Sequence, residues 1–170
     1  MARVRSIDRR IYEALAPPPD DGTQTNGSRA PDGAFHELVA PDYDPRAPGP
    51  YLVAVEIAMK SAELEGELVR WYSDEHIPLL ARVPGWRRSR RFVLREFGPP
   101  MGKEAAALVA RGASGRFLAV HEWASPAAFE TAEYRAARST EWRARVVEGA
   151  AVWERRMFKE MRTWVREDGR

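Results

Sequence analysis

The sequence predicts an α+β fold built on a ferredoxin-like βαββαβ unit, and three observations carry that prediction. Four segments beyond residue 50 are rich in Val, Ile, Leu and aromatic residues at a spacing of two, the mark of strands. Two helical patterns fall after the first and third of these segments, giving the order strand, helix, strand, strand, helix, strand. A length of 170 residues with 44% hydrophobic and 31% charged residues suits one globular domain and is short for two.

Each element has its own signal. Tyr51–Met59 reads as the first strand. Ser61 can cap a helix whose Leu64, Leu68, Trp71 and Tyr72 fall on one stripe, and Pro78 and Pro84-Gly85 end that helix and its short extension. Trp86–Phe97 alternates Trp86, Arg88, Arg90 and Phe92 against Arg87, Ser89, Arg91 and Val93, a second strand. Residues 99–114 form a Gly- and Ala-rich excursion with a short helix expected at 103–110. A third strand covers 115–123. Ser125-Pro126 starts a helix that runs past Phe129 and Tyr134, because a hydroxyl cap is followed by proline at the first helical position. Ser139 or Thr140 caps another through Trp142 to Val147, and residues 150–161 form the fourth strand.

Upstream, residues 17–50 contain eight of the 13 prolines, with Asp-Gly, Asn-Gly and Pro-Gly pairs. Such a segment buries too little apolar area to offset its ordering entropy, so it reads as a linker or extended strap. Phe35, His36, Leu38, Val39 and Tyr43 are the residues with which it can dock. The expected organisation is an N-terminal segment 1–16, the linker or strap 17–50 and the domain 51–166. One internal repeat is visible: Asp8-Arg9-Arg10-Ile11-Tyr12-Glu13-Ala14-Leu15 parallels Glu154-Arg155-Arg156-Met157-Phe158-Lys159-Glu160-Met161. The N-terminus therefore looks like the last strand of an upstream copy of the same domain.

Composition removes several function classes. With no cysteine, disulfides, thiolate metal sites and a cysteine nucleophile are excluded. The net charge of +2 is not a nucleic-acid footprint, and the Asn26-Gly27-Ser28 sequon carries little weight in a chain without an export signal. The run Leu52-Val53-Ala54-Val55 is interrupted by Glu56 and does not span a bilayer. Arg3, Arg5, Arg9 and Arg10 are interrupted by Asp8 and followed by no apolar signal core, so the expected location is the cytoplasm. Three dispersed histidines lack zinc-ligand spacing, and neither a nucleotide-binding glycine motif nor a serine nucleophile elbow occurs. Neither a metal nor a cofactor is expected.

Trp71-Tyr72-Ser73-Asp74-Glu75-His76-Ile77-Pro78-Leu79-Leu80, then Val83-Pro84-Gly85-Trp86 and Arg88-Ser89-Arg90-Arg91-Phe92, resemble the signature of EthD-like proteins. Phe117-Leu118-Ala119-Val120-His121-Glu122-Trp123 and Phe129-Glu130-Thr131-Ala132-Glu133-Tyr134 resemble the fungal style of that family, and the likeness covers roughly two-thirds of the chain. The resemblance implies a dimeric α+β barrel, in which two sheets pack face to face. Strands apolar on both faces fit that arrangement, since a bare apolar face needs a second cover, and a homodimer supplies it.

Candidate site residues follow. His76, near the end of the first helix, has Tyr72 one turn back and Asp74 and Glu75 beside it in sequence. The motif resemblance supports a general acid/base there; a simple interaction with the helix C-terminus is the competing account. A neighbouring carboxylate would raise the His76 pKa and burial would lower it. His121 and Glu56 lie on neighbouring strands and are expected to face each other across a pocket or as a structural pair. Trp71, Glu75, Trp86, Arg88 and Arg90 are candidate substrate contacts, the arginines for a carboxylate or phenolate; arginine stems covering aromatic surface are the plainer alternative. Trp71, Trp123, Trp142 and Trp153 read as core or interface.

The implied function is a cofactor-free lyase, isomerase or cyclase acting on a small hydrophobic, aromatic or polyketide-like molecule. Its chemistry would be proton transfer in cyclisation, dehydration, decarboxylation or isomerisation. A non-catalytic ligand-binding or stress-type barrel is the alternative. A haem-handling protein with His76 or His121 as axial ligand is a third.

Overall fold

The computed structural model describes residues 10–14, 37–97 and 116–161. The expected helix at 103–110, Phe35 and His36 of the strap, the sequon at Asn26, and the ends of the N-terminal segment and of the domain lie outside the described residues. In chain order the elements are β1 (Arg10–Ala14), β2 (Glu37–Val39), β3 (Tyr51–Met59), α1 (Ala62–Trp71), a π-helical turn (Tyr72–His76) and α2 (Ile77–Leu80). Then follow β4 (Trp86–Phe97), β5 (Phe117–Trp123), a 3-10 turn (Pro126–Glu130), α3 (Ala132–Ala137), α4 (Glu141–Glu148) and β6 (Ala150–Lys159).

The strands order β1-β4-β5-β3-β6, and every pairing is antiparallel. The domain's own strands thus run second, third, first, fourth across the sheet, the ferredoxin-like arrangement. Val53, Val55 and Ile57 of β3 are buried on one face beneath the helices, with Ala119, His121 and Trp123 of β5. Leu68 and Trp71 of α1, Tyr134 and Ala137 of α3 and Val146 of α4 close this core from above.

Two parts of the helical layer differ from expectation. Pro78 does not end the first helix: one wide π turn that includes His76 carries it on into α2, and Pro78 sits in that helix's first turn, where its missing N–H costs little. After β5, one continuous helix is replaced by two pieces. Thr131 is extended (φ −74°, ψ 157°) and its side chain accepts from the Tyr134 N–H, so a second cap interrupts the helix. Of the two hydroxyls proposed for the last cap, Thr140 takes it, accepting from the Arg143 N–H.

Two glycines meet specific demands. Gly85 (φ +85°) turns the chain into β4, a conformation other residues avoid. Gly49 lies against the Trp123 carbonyl, where any Cβ would collide with backbone.

On the opposite face of the sheet are Leu52 and Phe158, 38% and 50% exposed, beside Leu118 and Val120. This face also holds two ionic groups. Glu122 accepts from Arg88 (2.8 Å) and from the Gly49 N–H (2.7 Å). Glu56 pairs with both Arg10 of β1 and Arg156 of β6. Arg10 and Arg156 occupy equivalent positions in the sequence repeat, so the two copies of that motif converge on one carboxylate. Arg10 reaches Glu56 although β4 and β5 lie between β1 and β3 in the strand order. The segment upstream of β3 lies along the same edge: β2 pairs with β4, Ala40 enters the core, and Leu38 and Tyr43 pack on it.

Candidate active site

A small cavity lies between the helix-covered face of the sheet and α3 and α4. Its volume is about 40 Å³, and Tyr72, His76, His121 and Trp153 line it with Val53, Val55, Leu80 and Trp123. Arg138, Arg143, Arg155 and Tyr134 complete the wall. At about 10–15 Å³ per water, this volume takes roughly three waters or one small functional group, far less than a porphyrin.

The π turn builds the helical side of the site. It holds Tyr72 and His76 with ring centroids 5.5 Å apart, and Trp71 stacks on His76 at 4.2 Å and 18°. Trp71 is itself pinned: its Nε1 donates to Glu75 Oε1 (3.0 Å), whose carboxylate also accepts from Thr140 Oγ1 (2.6 Å). Glu75 therefore braces α1 against α4 instead of facing His76, and Asp74 is exposed to solvent. The carboxylate expected to raise the His76 pKa is not there. Burial first, then the charges of His121 and Arg143, push it well below 6.5, and a backbone hydrogen bond with Ala137 works weakly the other way.

His121 comes from the sheet side, 6.1 Å from the His76 ring and 6.3 Å from the Tyr72 ring. Burial, aided by Arg155, lowers its pKa to about 4, so it is neutral at pH 7. Its tautomer follows from a buried chain of donors. Trp86 Nε1, which can only donate, bonds Ser89 Oγ (3.0 Å), and Ser89 Oγ lies 2.8 Å from His121 Nδ1. With Trp86 donating to it, Ser89 Oγ can donate to His121 Nδ1, the tautomer that puts the ring proton on Nε2. That Nε2 and His76 Nδ1 are buried without a hydrogen-bonding partner. Tyr72 is pushed above its ordinary pKa by burial and remains a protonated phenol. The cavity therefore combines two neutral imidazoles and a phenol, a set able to remove a proton and to stabilise the resulting oxyanion.

The chain Trp86–Ser89–His121 makes a testable demand. Ser89→Ala leaves a buried indole N–H and a buried imidazole nitrogen unsatisfied. The loss of stability, read from urea denaturation, should be about 1–3 kcal/mol. A change under about 0.5 kcal/mol would show that Ser89 does not bridge them.

Of the residues singled out from sequence, Tyr72, His76 and His121 meet in the cavity. Glu56 does not, and this is a correction. β3 and β5 are neighbours as expected, but His121 pairs with Val53 while Glu56 pairs with Leu118, which places them on opposite faces. Trp71, Glu75 and Trp86 support the site from behind. Arg88 and Arg90 belong to the other face, where with Leu52, Val120, Glu122 and Phe158 they line a groove of about 250 Å³. Of the four tryptophans assigned to core or interface, Trp123 and Trp153 also wall the cavity. Tyr134, Arg138, Arg143 and Arg155 were not anticipated. The one sequence signal for Arg155 is its alternation with Trp153 along β6.

No protein-family model matches the chain, and no curated protein does. Among solved structures it is similar to the cofactor-independent oxygenase SnoaB from Streptomyces nogalater, at 19% identity, TM-score 0.35, over 66% of this chain and 92% of that one. It is similar to an anthrone oxidase-like protein at 17% identity and TM-score 0.40, over 73% of this chain and 50% of that one. An EthD family protein from Bacillus halodurans is similar at 16% identity and TM-score 0.35, over 65% and 97% of the two chains. Among the described residues no helix is long and apolar enough to cross a membrane.

Proposed function

We propose that this cavity performs cofactor-free proton transfer on a small aromatic or polyketide-like molecule. The observation that carries the reading is a pair of buried, neutral imidazoles in one cavity, each with a nitrogen that no protein group occupies. Cyclisation, dehydration, decarboxylation and isomerisation of such molecules share one need, the movement of a proton beside a carbonyl or phenol. In this reading His76 takes the proton, and His121 Nε2–H with the Tyr72 hydroxyl donates to the oxygen on which charge develops. The cavity admits only the reacting end of the substrate, whose ring would rest at the mouth near Trp153 and the arginines.

The test is hydrogen exchange. Hydroxylated aromatic ketones and 1,3-dicarbonyl compounds incubated with the protein in deuterated buffer should gain deuterium at the acidic carbon, read by mass spectrometry. No exchange above the buffer rate across such a panel would favour the second reading, a barrel that binds without turnover. The small cavity volume is what speaks for that alternative.

The same reading includes a homodimer that covers the second sheet face, where Leu52 and Phe158 are exposed. Sedimentation at micromolar concentration should give about twice the 19.3 kDa chain mass. Replacing Leu52 and Phe158 together by Asp should yield the monomer, and a wild-type monomer would overturn the arrangement.

A further inference from the structure

We infer that the ligand of this cavity is an anion, a planar aromatic carboxylate or phenolate whose charge is held by Arg138, Arg143 and Arg155. This rests on the cavity being the ligand site proposed above and deepens it.

The wall of the cavity contains three guanidinium groups and no carboxylate. Several arginines elsewhere among the described residues pair with acids, Arg88 with Glu122, Arg87 with Asp42, Arg116 with Glu65 and Arg156 with Glu154, while Arg90 and Arg91 lie over aromatic rings as the cavity arginines do. Among the described residues, the three at the cavity make only neutral contacts. Arg155 donates to the Tyr134 hydroxyl (3.3 Å) and lies over the Phe129 ring (5.5 Å). Arg143 donates to the Arg138 carbonyl (3.1 Å) and lies over the Trp153 ring (5.7 Å). Arg138 lies over the Tyr134 ring (5.6 Å). Glu75, brought toward α4 by Thr140, is committed to Thr140 and Trp71.

Like charges collected without a counter-charge repel. Arg143, half-buried, has its pKa lowered first by burial and then by Arg138. Binding an anion relieves that repulsion, and a guanidinium fork matches a carboxylate or phenolate oxygen in geometry. The independent observation is the buried pair behind the arginines. His121 Nε2 and His76 Nδ1 are buried without a partner, and the hydroxyls of Tyr72 and Tyr134 on the same wall can donate as well as accept. Three guanidinium groups and no carboxylate on one wall favour an electron-rich oxygen. The ring that carries this oxygen would rest outside the small cavity, where half-buried Trp153 offers a flat face.

The experiment compares 2-naphthoate with the neutral, similarly shaped 2-naphthamide by quenching of tryptophan fluorescence in the full-length protein. Naphthoate should bind about tenfold tighter or more. The preference should fall to near unity in Arg143→Gln/Arg155→Gln, and it should persist in Arg156→Gln on the other sheet face. Equal binding of acid and amide overturns the inference. So does a preference unchanged in the double variant, or no naphthoate binding at millimolar concentration. Failure of the proton-transfer reading looks different: the naphthoate preference survives while no compound exchanges deuterium. Failure of the anion inference leaves exchange intact with acid and amide bound alike.

Discussion

Between pH 7 and pH 4 the protein should lose on the order of 3 kcal/mol of folding stability through His121 alone. In the unfolded chain this imidazole takes up its proton near pH 6.5, whereas in the folded protein it does so only near about 4. In that window the unfolded state binds more protons, so stability rises with pH: it is complete above about 6.5 and drains away as pH falls through the window. A difference of about 2.5 pH units, at 1.36 kcal/mol each, sets the magnitude. His76, also depressed mainly by burial, adds to the loss in the same direction. Urea denaturation at pH 7.0, 5.5 and 4.5 measures it. Carboxylates contribute to any acid-induced loss, so the deciding quantity is the difference from His121→Gln, which cannot titrate. If the variant and the wild type lose stability in parallel across this range, His121 is not buried in its neutral form.

His76→Ala should slow deuterium exchange on a turned-over compound by about a hundredfold or more, the usual worth of a positioned general base. His76→Gln should be nearly as damaging, because the amide fills the space against Trp71 but cannot accept and release a proton at neutral pH. The control is structural. The Gln variant should unfold within about 1 kcal/mol of wild type, since volume is largely kept and the stacking partner remains. Full exchange activity in both variants would move the base to His121, now without Glu56 as partner, because Glu56 lies across the sheet.

Much of the scaffold was legible because its signals are local. The alternation of Val53, Val55 and Ile57 with smaller or polar residues sets both the extent of β3 and its buried face, and Tyr51–Met59 and Trp86–Phe97 begin and end where the sequence pattern does. Gly85 acts through its own backbone, so its position could be read directly, while the last cap was narrowed to Ser139 or Thr140 and the structure uses Thr140. Thr131 shows the limit of that reading: its hydroxyl is as good a cap as that of Ser125, and sequence does not say that both are used.

The site was only half legible, for a geometric reason. Spacing within one element places Tyr72 and His76 on a shared face, since residues four apart on a helix adjoin. Spacing says nothing about register between strands, and one residue of slip exchanges the faces. Glu56 and His121 were each assigned correct companions along their own strands and an incorrect relation to each other. The bulky, β-branched set on β3 was the available clue that Glu56, among Leu52, Ala54 and Ala58, faces away from the helices.

What the sequence determined by itself is the order of elements, the two-faced sheet and the His76–Tyr72 turn, because each depends on neighbours within a few residues. What only the tertiary structure decided is the cavity: Arg138 after α3, Arg143 on α4, Arg155 on β6 and His121 on β5 converge there. Their meeting depends on how the two short helices lie across the sheet, and no local periodicity encodes that packing.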